Sequence, residues 1–252
     1  MRLRTVTLFV LSVSCVAAVC ARADDDAKRS AEAEARFQAG VAHLRDGRPK
    51  MAAEEFRRAV RIEKDNPYFR KGLGQALAAQ GKYDDAIDEF QEALKLNPNY
   101  VDVRNDLGSV LMLAGRRSDG MAQLLQAYND PTNPTPAITA RNLGRAYLDG
   151  GSYTEALNWF RTSVSRDSKY PDAQLGIADT LVAMGRLDEA VLQLEGAVKT
   201  MPESVPLILA LGEAYYRAGR FKDARAKLED VVRRDPAGRQ GLRAADLLKK
   251  FP

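Results

Sequence analysis

The sequence predicts an all-α fold in which a hairpin of two antiparallel helices occurs six times. Two observations carry this prediction. A Leu-Gly pair, or a close variant of it, recurs at intervals of 34, 34, 36, 34 and 34 residues, ending at Gly40, Gly74, Gly108, Gly144, Ala178 and Gly212. Another glycine follows seven residues after each pair, at Gly47, Gly81, Gly115, Gly151, Gly185 and Gly219. A period of this length indicates a stack of repeated helical units.

Each repeated position has a physical role in a helical hairpin. The small residue that ends the pair lets the first helix approach its neighbours closely. The second glycine is expected to adopt a left-handed conformation and end the first helix. A large apolar residue on the second helix then fills the core. These large residues are Phe56, Phe90, Leu124, Phe160, Leu194 and Leu228.

Prolines mark the ends of the predicted helices. Pro98, Pro202 and Pro236 follow second helices, whereas Pro67 and Pro171 begin first helices, where a missing N–H is harmless. The one irregular interval contains two additional residues. We place them in the proline-rich stretch 130–136, between the third and fourth hairpins.

This pattern resembles the tetratricopeptide repeat, which implies a right-handed α-solenoid. The resemblance covers residues 33–238 and implies six repeats: 33–66, 67–100, 101–136, 137–170, 171–204 and 205–238. Residues 239–252 have leucines at helical spacing, and we predict that they form a C-terminal capping helix, because such stacks need a polar end for solubility. Residues 20–32 are polar and include three successive aspartates, so they predict a tether.

The first 19 residues have the features of an export signal. Arg2 and Arg4 precede an apolar stretch, and small residues lie near its end. The uncharged run from Thr5 to Cys20 is 16 residues long, which is shorter than the roughly 20 residues that cross a bilayer as a helix. We therefore expect a signal peptide over residues 1–19 that is cleaved.

Three cleavage sites are possible, and they differ in whether the mature protein is anchored to a membrane. Processing as a bacterial lipoprotein would leave a lipidated Cys20 at the N-terminus, with Cys15 as the alternative cysteine. Ordinary cleavage after Ala23 would release an unanchored protein beginning at Asp24. We favour Cys20, and because alanine rather than aspartate follows it, we expect the outer membrane, with the protein on the periplasmic face.

Composition excludes several function classes. The 38 Lys and Arg residues are interspersed with 34 Asp and Glu residues, which is typical of solvated helix faces and not of a nucleic-acid interface. Both cysteines lie within the first 20 residues and His43 is the single histidine, so no thiolate or imidazole site can be assembled in the repeats. We expect His43 and Trp159 to be packing residues. The sequence therefore predicts no enzyme, no cofactor, no metal site and no small-molecule substrate.

The family geometry implies a concave groove lined by the first helix of each repeat. The predicted groove residues are Phe37, Val41, Leu44, Tyr68, Lys71, Gln75, Asn105, Met112, Arg141, Arg145, Leu148, Leu175, Val182 and Tyr216. This largely apolar lining suits an amphipathic helix or an extended apolar peptide, although any one of these residues can instead pack against the next repeat. Arg141 and Arg145 lie one turn apart and can meet an acidic partner. Gln75 and Asp106 stand where a carboxylate clamp requires Asn, so capture of a C-terminal carboxylate is not expected.

The whole arrangement resembles the pilotin lipoproteins of type IV pilus systems, the group that includes PilF, PilW and Tgl. The resemblance rests on an export signal ending at a cysteine, a short tether and six repeats. It implies a lipid anchor in the outer membrane and help in assembling subunits of the secretin PilQ, which forms the pore for the pilus. The alternative is a periplasmic scaffold for another cell-envelope machine. A third hypothesis, an enzyme component, has no catalytic residues to support it.

Overall fold

The computed structural model describes residues 25–251, and helices without any strands make up the regular secondary structure of this part of the chain. Cys15, Cys20, Ala23 and the predicted signal peptide lie outside the described residues. Helix α1 spans residues 25–45. The other helices are α2 Pro49–Ile62, α3 Pro67–Ala78, α4 Tyr83–Leu96, α5 Val101–Leu113, α6 Arg117–Asn129, α7 Pro136–Asp149, α8 Tyr153–Arg166, α9 Pro171–Ala183, α10 Leu187–Thr200, α11 Val205–Arg217, α12 Phe221–Arg234 and α13 Arg239–Leu248. The predicted all-α class is confirmed.

The helices form two compact units. The first unit ends at Arg116 and contains α1 to α5, and the second begins at Arg117 and contains α6 to α13. The third predicted repeat, 101–136, is therefore divided between the two units. The additional residues at 130–136 lie within the second unit and not at its start.

Glycine ends each first helix in the way that the sequence predicts. Gly81 has a φ of +77°, and the N–H of Lys82 donates to the carbonyl of Leu77, the 6→1 hydrogen bond of a Schellman motif. The five equivalent glycines have φ between +69° and +79°. In residues 25–251 these six are the positions with positive φ, so the backbone requirement coincides with the repeat.

The large apolar residues of the second helices fill the cores of both units. In the first unit, Phe56 lies between Gly40 and Gly72, and a Cβ atom at either glycine would lie 2.7 or 2.8 Å from its ring. In the second unit, Phe160 lies between Gly144 and Gly176 in the same way. All six predicted core residues are fully or almost fully buried. The small residues on the first helices are therefore needed for close packing.

Helix α1 begins earlier than the sequence analysis expected. Residues 25–32, assigned there to the tether, are helical and continue directly into the first repeat. The residues from Ala27 to Arg36 are almost all strong helix formers. The prediction of a tether rested on polar composition and did not include this local preference. Tertiary contacts support the extension, since Ala33 is fully buried and Ser30 hydrogen-bonds to Glu63.

The last helix covers one end of the second unit. Two backbone N–H groups at its start, those of Gln240 and Gly241, donate to the carboxylate of Asp235 at 3.2 Å. Ala244 is fully buried against α12, and the ring of Phe251 packs 4.9 Å from that of Tyr216. No helix in residues 25–251 combines the length and apolar character needed to cross a membrane.

Candidate partner-binding surface

All fourteen predicted groove residues lie on the first helices of the hairpins. The first unit carries eight of them on α1, α3 and α5, and the second unit carries six on α7, α9 and α11. Their side chains differ in exposure, from the largely exposed Tyr68 to the buried Asn105. Whether they contact a partner stays a prediction.

The apolar members of this set belong partly to the core. The ring of Phe37 lies 5.3 Å from that of Phe56 and 5.2 Å from that of Phe69. Six further members are half-buried against the cores of their own units: Val41, Leu44, Leu148, Leu175, Val182 and Tyr216. Packing between helices therefore buries part of the side-chain surface of these residues. The largely apolar lining stays a prediction, because part of this apolar side-chain surface lies against the cores.

In the first unit, polar side chains join α3 to α5. The ammonium of Lys71 lies 3.6 Å from the carboxylate of Asp102, and the amide of Gln75 donates to Asp106 at 2.8 Å. Lys71 also lies over the ring of Tyr100, which packs edge-on against Tyr68. Burial raises the pKa of the Asp106 carboxyl, although Lys71 and the hydrogen bond from Gln75 act in the opposite direction. The two aspartates are thus already satisfied within the unit.

In the second unit, the two predicted arginines are held by neighbours. The Nε atom of Arg141 donates to the hydroxyl of Tyr170 at 3.0 Å, and its guanidinium lies over the same ring. Arg145 forms an ion pair with Asp149 at 3.1 Å. Each guanidinium keeps further donors for a ligand, because five N–H groups are available on an arginine.

A cavity of about 280 Å³ lies beside these arginines. Its lining combines basic, acidic and apolar residues: Arg141, Arg145, Phe160, Asp172, Leu175, Gly176 and Asp179. A second cavity of about 290 Å³ lies between α11 and α13, where Arg243 pairs with Glu213 at 2.6 Å. The larger cavity of the first unit, about 630 Å³, lies where Arg29 faces the turn from Arg61 to Tyr68, and Tyr68 is its one predicted groove residue.

Sequence reasoning missed Asp172 and Asp179. Both stand at repeat positions that the family geometry places in the groove, and Asp179 lies 34 residues after Arg145. The repeat period therefore indicates both aspartates as groove residues, although the predicted lining did not include them. Burial raises the pKa of Asp179, with Arg145 and Arg217 opposing the shift.

The two residues expected to be packing residues have different surroundings. His43 is half-buried, and its Nδ1 atom has no hydrogen-bond partner among the described residues. Trp159 packs edge-to-face on Tyr128 with ring centroids 4.9 Å apart. Within residues 25–251, no group of three or more His, Cys, Asp or Glu side chains is arranged to hold a metal ion.

Helical hairpins repeated at this period, with polar side chains on the first helices, define a repeat protein of the kind that binds other proteins. A family model described as "Tetratricopeptide repeat" matches residues 43–89, 147–200 and 188–248, and one described as "TPR repeat" matches residues 74–115. The first of these models covers more than half of the chain. The chain therefore belongs to the tetratricopeptide repeat family. Both models describe a repeat and neither indicates an enzyme.

Several solved structures have a similar fold. PilW, described as a widely conserved type IV pilus biogenesis factor, is 19% identical with a TM-score of 0.71, covering 84% of this chain and 98% of its own. PilF of Pseudomonas aeruginosa is 19% identical with a TM-score of 0.66, covering 87% and 99%. Yeast Tom70 has a TM-score of 0.65 at 17% identity, but only 42% of that chain is covered. No curated protein matches the chain significantly. At these identities the likeness establishes the fold alone.

Proposed function

We propose that this chain is a pilotin, an outer-membrane lipoprotein that binds subunits of the type IV pilus secretin and promotes their assembly. The observation that carries the proposal is the extent of the fold match with PilW and PilF, which includes nearly the whole of both solved chains. For Tom70, by contrast, the match includes only 42% of that chain. The repeats of this chain thus correspond in extent to those of the solved PilW and PilF chains.

The N-terminal sequence supplies the second support. An export signal followed by Cys20 suits a lipid anchor, and helix α1 is already formed at residue 25. Five residues of extended chain reach at most about 18 Å, so a lipid on Cys20 holds the first unit close to the membrane surface. Multiple acyl chains give stable anchoring. Restricting the repeats to this layer raises the local concentration of bound secretin subunits and favours their oligomerisation.

The anchor is tested by replacing each cysteine in turn. We expect Cys20→Gly to give a folded protein that is lost from the outer-membrane fraction, with loss of secretin multimers and of pilus-dependent motility. Cys15→Gly is the matched control and should retain membrane attachment. If Cys15→Gly releases the protein instead, Cys15 carries the lipid. If neither substitution changes fractionation and the mature chain begins at Asp24, the anchor is refuted.

The partner is tested by mild crosslinking in cells and purification of the repeat protein. Recovery of secretin subunits supports the pilotin function. Recovery of envelope-maintenance proteins without secretin favours the alternative scaffold function. Normal secretin multimers in cells that lack the protein contradict the proposal altogether.

A further inference from the structure

The cavity between α7 and α9 in the second unit has two walls of opposite charge. Helix α7 provides Arg141 and Arg145, and helix α9 provides Asp172 and Asp179. The floor is apolar, since Leu175 and the buried ring of Phe160 lie beneath, and Gly176 has no side chain to fill the space. Four charged groups around an apolar floor form a site for a side chain with an aliphatic stem and a charged end.

The two walls differ in how far their charges are already satisfied. Arg141 is held by Tyr170, and Arg145 is held by Asp149. Asp172 and Asp179, in contrast, make neither an ion pair nor a hydrogen bond with the residues that the structure describes. Both remain accessible to solvent. The acidic wall therefore has no direct ion pair, although Arg145 and Arg217 act on Asp179 from a distance.

The first unit provides an internal comparison. There, Asp102 and Asp106 of α5 lie one turn apart and are already contacted by Lys71 and Gln75 of α3. In the second unit, Arg141 and Arg145 of α7 stand at the repeat positions of Lys71 and Gln75, but they contact Tyr170 and Asp149 and form no direct ion pair with α9. Burial of the Asp179 carboxyl raises its pKa, and the nearby Arg145 and Arg217 lower it.

We propose that this cavity binds a segment of the partner protein through a lysine or arginine side chain, which pairs with Asp172 and Asp179 while its aliphatic stem covers Leu175. An acidic residue of the same segment contacts Arg141 and Arg145. The proposal rests on the proposed function, since it names the chemical character of the secretin segment that is recognised. Charge complementarity selects this occupant, because an acidic or wholly apolar side chain leaves the two aspartates unpaired.

The geometry also sets a spacing between the two charges of the ligand. Packed helices lie about 8–10 Å apart, and an extended chain advances about 3.3 Å per residue. The basic and acidic residues of an extended ligand are therefore expected about three residues apart. Peptides with this spacing should be preferred over those in which the same residues are adjacent.

The experiment selects peptides from a random displayed library on the full mature chain and measures the affinity of the enriched sequences by fluorescence anisotropy. We expect sequences with Lys or Arg about three residues from Asp or Glu. Asp172→Asn and Asp179→Asn should each weaken binding about tenfold, and the double substitution should remove it. Asp188→Asn, which removes an exposed carboxylate from α10, is the control and should bind as the wild type does.

A charge exchange makes the test specific to the contact. Asp179→Lys should lose the selected peptides and regain binding when the peptide lysine is replaced by glutamate. Equal binding of the selected peptides to wild type and both Asn variants overturns the inference, as does the absence of any charged consensus. The double variant, Asp172→Asn with Asp179→Asn, can also be crosslinked in cells. If it crosslinks to secretin as well as the wild type does, this site is refuted and the pilotin function is not. Failure to recover secretin with the wild-type protein refutes the pilotin function itself.

Discussion

Gly74 of α3 lies against the ring of Phe90 of α4, so that a Cβ atom on the glycine would be 2.7 Å from the ring. Real Cβ atoms essentially never lie this close to another heavy atom. Phe90 is almost completely buried, and other buried side chains surround it, so the ring has little room to move away. The glycine is thus required by the neighbour on the second helix and not by its own backbone.

Gly74→Ala should therefore destabilise the protein, by about 1–3 kcal/mol as overpacking commonly does. Without the clash, alanine in a helix interior would be more stable than glycine by about 0.5–1 kcal/mol. Gly196→Ala in α10 is the matched control, because nothing lies within 4 Å of its Cβ position. Urea denaturation of both variants compares the two effects. Equal stabilisation by the two substitutions contradicts the packing described for Phe90.

The turn glycines should respond to substitution through the backbone. Gly81 has a φ of +77° and open space at its Cβ position, so Gly81→Ala adds strain without a clash. We expect a loss of about 1–2 kcal/mol in the free energy of unfolding. Gly81→Asn should lose less, because asparagine tolerates the left-handed region better. Thermal melts of the two variants check this order, and a neutral alanine would be evidence against the Schellman turn.

Asp106→Asn should change how the stability of the protein depends on pH. Burial raises the pKa of this carboxyl, so the folded state binds more protons than the unfolded state and stability falls as pH rises through that range. The amide oxygen that the substitution introduces can still accept from Gln75 without carrying a buried charge. We expect the variant to gain most over wild type near pH 7, and the gain to disappear below the ordinary carboxyl pKa of about 4.

The measurement is urea denaturation of the Asp106→Asn variant and of the wild type from pH 4 to pH 7. Asp188→Asn controls for the loss of one negative charge at an exposed position. A variant that is less stable than the wild type at pH 7 but equal at pH 4 reverses the expected sign. It would show that the attraction of Lys71 outweighs the effect of burial.

The docking of α13 depends on the face that carries Ala244. Ala244 is fully buried, whereas Leu242 on the same helix is 60% exposed. Ala244→Glu places an unpaired charge against α12 and should cost several kcal/mol or undock the helix. Leu242→Glu should remain within about 0.5 kcal/mol of the wild type. Hydrogen exchange of the α13 amides measures the result, and equal protection in the two variants would refute the described face.

The period of the repeat determined most of the fold. The second glycines, the large residues of the second helices and the prolines at helix starts each lie where hydrogen bonding or packing requires that residue type. Such requirements are local or occur at a fixed distance along the chain, so the sequence alone reveals them. The start of α1 was missed because a charged and alanine-rich segment can be read either as a tether or as a helix.

The sequence by itself determined the class of fold, the number of hairpins and the residues that end each first helix, because these depend on backbone conformation and helical spacing. Only the tertiary structure decided which side chains on the first helices remain free. Lys71 and Gln75 contact Asp102 and Asp106, and those pairs lie about one repeat apart in the chain. Whether two charged side chains form a pair depends on the distance between neighbouring helices. The packing of the cores beneath those helices sets that distance.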